Sequence, residues 1–246
     1  LFRSREVLTL MPEPRVSRLV LRTFSSKSIL AMTTLSFPAS NTAMRKLEHL
    51  FESCRLPVIA APMFLVSGPD LVVAACASGV IGSFPTMNCR EVETLEKWFI
   101  EIDARLSELR ARGVTPAPWA ANLVVHSTNQ RLPRDLELVS RFRPPLVITA
   151  LGSPRAAVAP VHAYGGLVFA DVTTPLLARK AIEAGADGLV LVCAGAGGHT
   201  GSLAAPAFIG EIRKFFDGPV VLAGSVANGK AIRAYQMRSE EHTSEL

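Results

Sequence analysis

The sequence lacks an apolar run long enough to cross a membrane, and it contains little cysteine. The stretch LPVIAAPMFLV, the longest apolar run near the start of the body, has about half of the roughly 20 residues that a transmembrane helix needs. The four cysteines, Cys54, Cys76, Cys89 and Cys193, show no CxxC spacing and are too few for a disulfide scaffold. We therefore predict no membrane partner and a reduced compartment, the cytoplasm.

Unbalanced charge is confined to the start of the chain. Residues 1–55 carry nine lysines and arginines against four glutamates, whereas the rest has 17 basic and 17 acidic residues. A neutral body argues against a nucleic-acid partner. The histidines are not paired at metal-ligand spacing and the cysteines are scattered, so no metal site is predicted.

Both ends differ in composition from the body. Residues 1–43 are rich in Arg and Ser and have no clear period, which suggests a non-domain or disordered extension. It is either translated upstream sequence, with Met32 or Met44 as the start, or a mitochondrial transit segment, which would change the predicted compartment. The final RSEEHTSEL, residues 238–246, resembles a translated sequencing adapter; a natural polar tail is the alternative. The predicted domain is therefore 44–237.

Short apolar runs alternate with longer amphipathic segments throughout this domain, which predicts βαβ units and a parallel sheet. Two pairs in which a hydroxyl-bearing residue precedes proline, Ser153-Pro154 and Thr174-Pro175, predict helix starts, and Gly185 predicts a helix end. Seven strands are predicted: Leu56–Ala61, Val80–Phe84, Ala117–Val124, Leu146–Ala150, Gly166–Ala170, Gly188–Val192 and Val220–Ala223.

Seven βα units predict an incomplete TIM (β/α)8 barrel, a fold that takes about 250 residues when complete. A doubly wound open sheet is the competing fold. It is disfavoured because AAPM, and no GxGxxG, follows the first predicted strand. In the barrel interpretation the chain stops after the seventh helix.

Residues just after each barrel strand are the functional candidates. Glycine clusters follow the last two predicted strands, where backbone N–H groups could approach a phosphate closely, although tight turns also need glycine. His199 lies in CAGAGGHTG and is either a general base or a solvated loop residue. Asp171, at the predicted end of its strand, either faces the site or forms an exposed turn.

Four segments resemble the nitronate monooxygenases, also called 2-nitropropane dioxygenases: LPVIAAPM, WAANLVV, VFADVTTPLLARKAIEAGADGLVLVCAGAGGHTG and PVVLAGSVANGKAI. The AGGH-type stretch after an ADG strand is the specific part. The resemblance implies an FMN-dependent barrel enzyme that oxidises a small nitronate or nitroalkane with O2, yielding a carbonyl compound and nitrite. It does not indicate an oligomeric state.

The resemblance also implies roles for single residues. Pro62 and Met63 would pack along the flavin, and Asn122 would hydrogen-bond its ring edge. The remaining matches are Gly197 and Gly198 against the cofactor, His199 as catalytic base, and Gly224 with Ser225 at the FMN phosphate. Asp171 is added to the cofactor-binding residues because of its predicted position.

Three features depart from the family pattern. Ser225 replaces the second glycine of a pair, Gly195 stands where many members have glutamate, and a GADxxxMGT-like segment is absent. Two alternative functions therefore stay open. One is an FMN-dependent NAD(P)H oxidoreductase or enoyl-acyl-carrier-protein reductase of the same fold, and the other is a phosphate-binding barrel without flavin or an inactive fragment.

Overall fold

The structure, a computed structural model, describes residues 38–234. Most of the predicted N-terminal extension and the whole predicted tail at 238–246 lie outside the described residues. Helix α1 spans Pro38–Phe51 and so begins before the domain start predicted at residue 44. Ala43 on this helix is buried, packed in one cluster with strand residues of the sheet.

Six parallel strands form a single sheet in the described part of the chain. Their order in the sheet is their order in the sequence, β1 to β6, and every neighbouring pair is parallel. The strands are β1 (Gly82–Pro85), β2 (Trp119–Val124), β3 (Leu146–Ala150), β4 (Leu167–Val172), β5 (Gly188–Val192) and β6 (Val220–Ala223).

Helices separate successive strands, as the alternating pattern predicts. After α1 they are α2 (Pro69–Ala77), α3 (Val92–Ala111), α4 (Leu132–Phe142), α5 (Arg155–Ala163), α6 (Pro175–Glu183) and α7 (Ala205–Arg213), and residues 229–234 are also helical. The helix α3 shows why such segments form. Its buried residues Val92, Leu95, Phe99, Ile102 and Leu106 recur every three or four positions and therefore occupy one face.

The sheet is covered on both faces, so its strands are apolar at almost every position. Side chains of one face pack against α2 to α7, and these contacts include Phe84, Leu123 and Val168. Side chains of the other face form a separate cluster with α1. Because this second face is the barrel interior, we call it the inner face; its buried members are Ile81, Ala120, Leu146, Ile148, Leu167, Phe169 and Val190.

The consecutive strand order decides between the two candidate folds. A doubly wound sheet reverses its strand order at a switch point, whereas a barrel adds each strand beside the previous one. The order β1 to β6 contains no reversal. The prediction of an incomplete (β/α)8 barrel is confirmed. Between residues 38 and 234, no helix is both long enough and apolar enough to span a membrane.

The first predicted strand, Leu56–Ala61, is wrong as a regular strand. Only one isolated bridge joins this segment to the sheet, between Ile59 and Ile81. The carbonyl of Ala60 accepts a hydrogen bond from the Ser83 hydroxyl, so a side chain takes the acceptor that the next backbone rung would use. The segment lies beside β1 without extending the ladder.

One smaller prediction also changes, whereas the helix-end predictions agree with the structure. The strand β4 continues to Val172, so Asp171 lies within a strand and not in the loop after it. At the start of α5, Pro154 has helical dihedral angles (φ −69°, ψ −9°), and the Ser153 hydroxyl accepts from the Arg155 N–H at 3.4 Å, as the predicted cap requires. The Thr174 cap is confirmed because its hydroxyl accepts from the Leu177 N–H at 3.2 Å, and Gly185 ends α6 with a φ of +98°.

Candidate functional site

The predicted site residues lie along one edge of the sheet, at or near the carboxyl ends of the strands. Pro62 and Met63 follow the segment that is bridged to Ile81, the residue before β1, and Asn122 belongs to β2. Asp171 belongs to β4, whereas the remaining residues occupy the loops after β5 and β6. Barrel enzymes carry their active sites at this edge.

The loop after β5, residues 193–201, folds back on its own strand. The Thr200 hydroxyl donates to the Cys193 carbonyl at 3.0 Å, and the Ala194 N–H donates to the Leu203 carbonyl at 2.8 Å. A Cβ on Gly201 would lie 2.1 Å from the Val192 carbonyl oxygen. Glycine is therefore required at the return of the loop to the strand, and the loop has a defined shape.

The middle of this loop presents open backbone. A Cβ on Gly197 or Gly198 would meet no atom within 4 Å, and Gly198 has a φ of +72°. Within residues 38–234, no hydrogen bond uses the N–H of Gly197, Gly198 or His199. These three N–H groups are donors that the described chain does not consume, so a ligand could approach them closely.

His199 is exposed at the end of this open stretch. Its imidazole makes no hydrogen bond to any residue of the described part of the chain. Both ring nitrogens are therefore available to a ligand, which suits a group that takes up and releases a proton.

The loop after β6 interlocks with the loop after β5. The Ser225 N–H donates to the Gly195 carbonyl at 3.2 Å. A Cβ on Gly224 would lie 3.0 Å from the Ala196 nitrogen, and a Cβ on Gly195 would lie 2.0 Å from the Ser225 hydroxyl oxygen. The two sequence departures, Gly195 and Ser225, are thus in contact, and the serine hydroxyl takes the space that a side chain at 195 would need.

A helix begins immediately beyond the β6 loop. The Asn228 side-chain oxygen accepts from the Ala231 N–H at 3.0 Å, which caps the helical residues 229–234. The N-terminus of a helix favours anions, because its first N–H groups have no partner within the helix. This loop and helix start therefore have the donor chemistry that suits a phosphate.

Asn122 lies deeper in the sheet than the loop residues. It is buried, and its amide nitrogen donates to the Ile148 carbonyl on the neighbouring strand at 3.1 Å. The amide oxygen has no hydrogen bond within residues 38–234. The described contacts thus hold the amide in place from its nitrogen and leave an acceptor unused.

Asp171 carries the carboxylate of the candidate site. The residue is half-buried in β4, and burial raises the pKa of its carboxyl to about 7. The described chain supplies no hydrogen bond or ion pair to this carboxyl group. Asp171 is therefore a weakly acidic group that exchanges a proton near neutral pH.

The loop containing Pro62 and Met63 is shaped by a residue that the sequence analysis did not assign. Asn88 donates from its amide nitrogen to the Met63 and Ser67 carbonyls at 3.0 and 2.7 Å, and its amide oxygen accepts from the Leu65 N–H at 2.9 Å. A polar amide following β1 was the available signal. Its three partners, more than 20 residues away, could not be inferred from spacing.

A buried ion pair supports the same region and was also missed. Arg131 donates to both oxygens of Asp135 at 2.8 and 3.2 Å, and Thr86 donates to Asp135 at 2.8 Å. Arg131 further donates to the carbonyls of Thr86, Cys89 and Arg90. The i,i+4 spacing indicates a helical pair, but not that Asp135 is fully buried against the turn after β1.

The strand order and the positions of the loops show the class of protein, a (β/α)8 barrel. The sequence matches the family profile for nitronate monooxygenase over residues 46–238, and the chain belongs to this family.

The chain is similar at low identity to named relatives of two kinds. A Neurospora crassa nitronate monooxygenase is 27% identical over 227 residues, which cover 79% of this chain and 60% of the relative. A Rhodococcus jostii enzyme, (3aS,4S,5R,7aS)-5-hydroxy-7a-methyl-1-oxo-octahydro-1H-indene-4-carboxyl-CoA dehydrogenase, is 25% identical over 180 residues, 72% of this chain and 47% of the relative. The chain thus spans about half to three fifths of the length of these relatives.

A solved structure shares the fold. The nitroalkane oxidase from Streptomyces ansochromogenes superposes with a TM-score of 0.65 at 21% identity, covering 76% of this chain and 64% of that one. At this identity the likeness concerns the fold alone.

Proposed function

We propose that the protein is an FMN-dependent nitronate monooxygenase that oxidises small alkyl nitronates with O2 to carbonyl compounds and nitrite. The observation that carries the proposal is the loop after β5, where open glycines and an unpartnered histidine lie together at the strand ends of a member of this family. We further propose the cytoplasm as its compartment, from the scattered cysteines.

The residues present fit a flavin mononucleotide. Gly197 and Gly198 leave space and free N–H groups where a flat ring could lie, and Asn122 offers an unused amide oxygen. Gly224 and Ser225 precede a capped helix start, which suits the phosphate. Pro62, Met63 and Asp171 complete the proposed cofactor-binding set. When bound, FMN would supply the electron-transfer chemistry that side chains cannot provide.

His199 is the proposed base for neutral nitroalkanes. A nitroalkane must lose its α-proton before it becomes a nitronate, and imidazole takes a proton efficiently near neutral pH. The exposed imidazole has no intramolecular partner in the described chain that would compete for the proton. A substrate supplied as the nitronate needs no such step.

This difference in substrate form provides the test. The 246-residue chain, reconstituted with FMN, should consume O2 and release nitrite from propyl 1-nitronate and from neutral 1-nitropropane. His199→Asn should lower kcat/KM for 1-nitropropane by about 100-fold, the usual contribution of a positioned base, and should affect the nitronate much less. A second exposed histidine, His126, also lies at the carboxyl ends of the strands, which we call the strand-exit edge. His126→Asn is the matched control and should change neither reaction.

Two outcomes would contradict the proposal. If His199→Asn lowers kcat/KM equally for 1-nitropropane and propyl 1-nitronate, His199 is not the base. Oxidation of NADH or NADPH with a quinone or an enoyl thioester, without nitrite release, would favour the second candidate, an FMN-dependent oxidoreductase or enoyl reductase of the same fold. The similarity to a dehydrogenase from Rhodococcus jostii is the observation that supports this second candidate.

A further inference from the structure

Asp171 lies on the inner face of the sheet. Along β4, Leu167 and Phe169 belong to the inner-face cluster, and alternate residues of a strand share a face. Asp171 continues this series and is paired in register with Val190, another inner-face residue. A carboxyl group thus follows two apolar layers, at the end of the strand where the proposed site lies.

The surroundings of Asp171 show where its oxygens can find a partner. No side chain between residues 38 and 234 bonds to its carboxyl group, yet this part of the chain holds no fully buried side-chain oxygen or nitrogen without a hydrogen bond. The carboxyl oxygens must therefore be accessible. Leu167 and Phe169, which precede Asp171 on the same face of β4, are buried. The carboxyl group is therefore accessible from the carboxyl end of the strand.

No charged side chain of the described elements that pack against β4 forms an ion pair with this carboxyl group. The neighbouring strands β3 and β5 contain no titratable residue. The helices α5 and α6 pack on the opposite face of β4, and α1 packs with Leu167 at the other end of the strand. The charged or titratable residues of these three helices are Arg45, Lys46, Glu48, His49, Arg155, His162, Arg179, Lys180 and Glu183.

We propose that Asp171 takes up a proton when a small anion binds at the strand-exit edge, so that its neutral carboxyl group donates a hydrogen bond to the anion. This deepens the proposed function and rests on it, because a nitronate is a small anion with two equivalent oxygens. The proton comes from solvent, resides on one Asp171 oxygen in the complex and returns to solvent on dissociation. No electron moves in this step.

The charge states explain why binding and protonation are coupled. An ionised Asp171 repels an anion in a poorly solvated site, whereas the protonated form offers a donor. Since burial raises the pKa of Asp171 to about 7, both forms are populated near neutral pH. Anion binding draws the group toward its protonated form, and the apparent affinity therefore falls as pH rises through this range.

Butanoate is a suitable probe because it has the size of propyl nitronate, stays ionised above pH 6 and is not oxidised. Titration calorimetry of the 246-residue chain with butanoate should give a dissociation constant about tenfold higher at pH 8 than at pH 6, as expected for one required proton with a pKa near 7. In two buffers of different ionisation enthalpy, the heat should show proton uptake on binding at pH 8.

Asp171→Asn should bind butanoate with the same affinity at both pH values, because its amide donates at any pH. Asp217→Asn, an exposed carboxyl outside the site, is the matched control and should keep the tenfold dependence. The proposal is overturned by pH dependence that persists in Asp171→Asn, by its absence in the unmodified protein, or by a lack of butanoate binding at pH 6.

A second measurement needs no ligand and covers a failure of Asp171→Asn to fold. Carbon-13 NMR of protein labelled at aspartate carboxyl carbons should show one carboxyl titrating near neutral pH, shifted upward by butanoate. If no carboxyl titrates there, the proposal is wrong. If the unmodified protein binds butanoate with proton uptake but releases no nitrite from a nitronate, only the proposed function is contradicted.

Discussion

Gly195 and Ser225 form a contact in which each residue restricts the other. Gly195 has a φ of +88°, and a Cβ there would lie 2.0 Å from the Ser225 hydroxyl oxygen. Ser225 itself has a φ of +57°, a conformation that glycine adopts without strain. A larger residue at 195 therefore requires the Ser225 hydroxyl to move from its present position or to be removed.

The contact predicts a coupled effect on stability. Gly195→Ala should lower the free energy of unfolding by about 1–3 kcal/mol, since it combines backbone strain with a steric clash. Adding Ser225→Gly should restore part of this loss by removing the clashing hydroxyl. Urea denaturation followed by circular dichroism measures both. Additive effects of the two substitutions would show that the residues are not in contact.

The Arg131–Asp135 ion pair is a second residue-scale feature with a measurable consequence. Asp135 is fully buried, and its removal leaves the Arg131 guanidinium without its carboxylate. Asp135→Asn should therefore lower the free energy of unfolding by about 3 kcal/mol. Glu137→Gln, an exposed change on the same helix, should stay within about 0.5 kcal/mol of the unmodified protein. Similar values for the two variants would exclude a structural role for the pair.

At the scale of an element, the segment from Met63 to Ser67 is a defined loop despite its exposed apolar side chains. Phe64, Leu65 and Val66 are each at least 66% exposed, so burial cannot be what orders them. Hydrogen bonds order the backbone instead: three are made by Asn88, and another joins the Met63 N–H to the Ser67 hydroxyl.

Removing this amide should loosen the loop locally. We expect Asn88→Ala to accelerate hydrogen exchange in residues 63–67 at least about tenfold, because each lost bond contributes about 1 kcal/mol. Exchange in α7 should be unchanged. Gln130→Ala removes an exposed amide whose side chain has no partner in the described residues and should have no effect on the loop. Unaltered exchange in Asn88→Ala would contradict the assigned role.

Most elements could be predicted because local pattern determines them. Apolar runs of four to six residues became β1 to β6, and α6 has its predicted cap at Thr174. Leu56–Ala61 has the same apolar pattern but forms one bridge, and its Ala60 carbonyl accepts from the Ser83 hydroxyl where the next backbone hydrogen bond would form. Hydroxyl groups from a neighbouring strand leave no periodic signal, so this failure could not be seen in the sequence.

At the scale of the whole molecule, the barrel topology could be predicted, whereas the contacts between distant loops could not. Alternation of apolar and amphipathic segments specifies parallel βα units, and parallel strands bring their carboxyl ends together. The sequence thus places Asn122, Asp171, His199 and Ser225 at one edge. It does not specify that Ser225 contacts Gly195 or that Asp171 has no partner in the described chain, because both depend on three-dimensional packing.

The central claim is that the loops after β5 and β6 bind FMN, and Gly197 offers the most direct test. A Cβ at this position meets no protein atom within 4 Å, so Gly197→Leu should leave the unfolding transition unchanged while filling the space proposed for the flavin. FMN affinity, measured by quenching of flavin fluorescence, should fall at least about tenfold, the equivalent of 1.4 kcal/mol. Equal FMN affinity in both proteins, or no FMN binding by the unmodified chain, would contradict the claim.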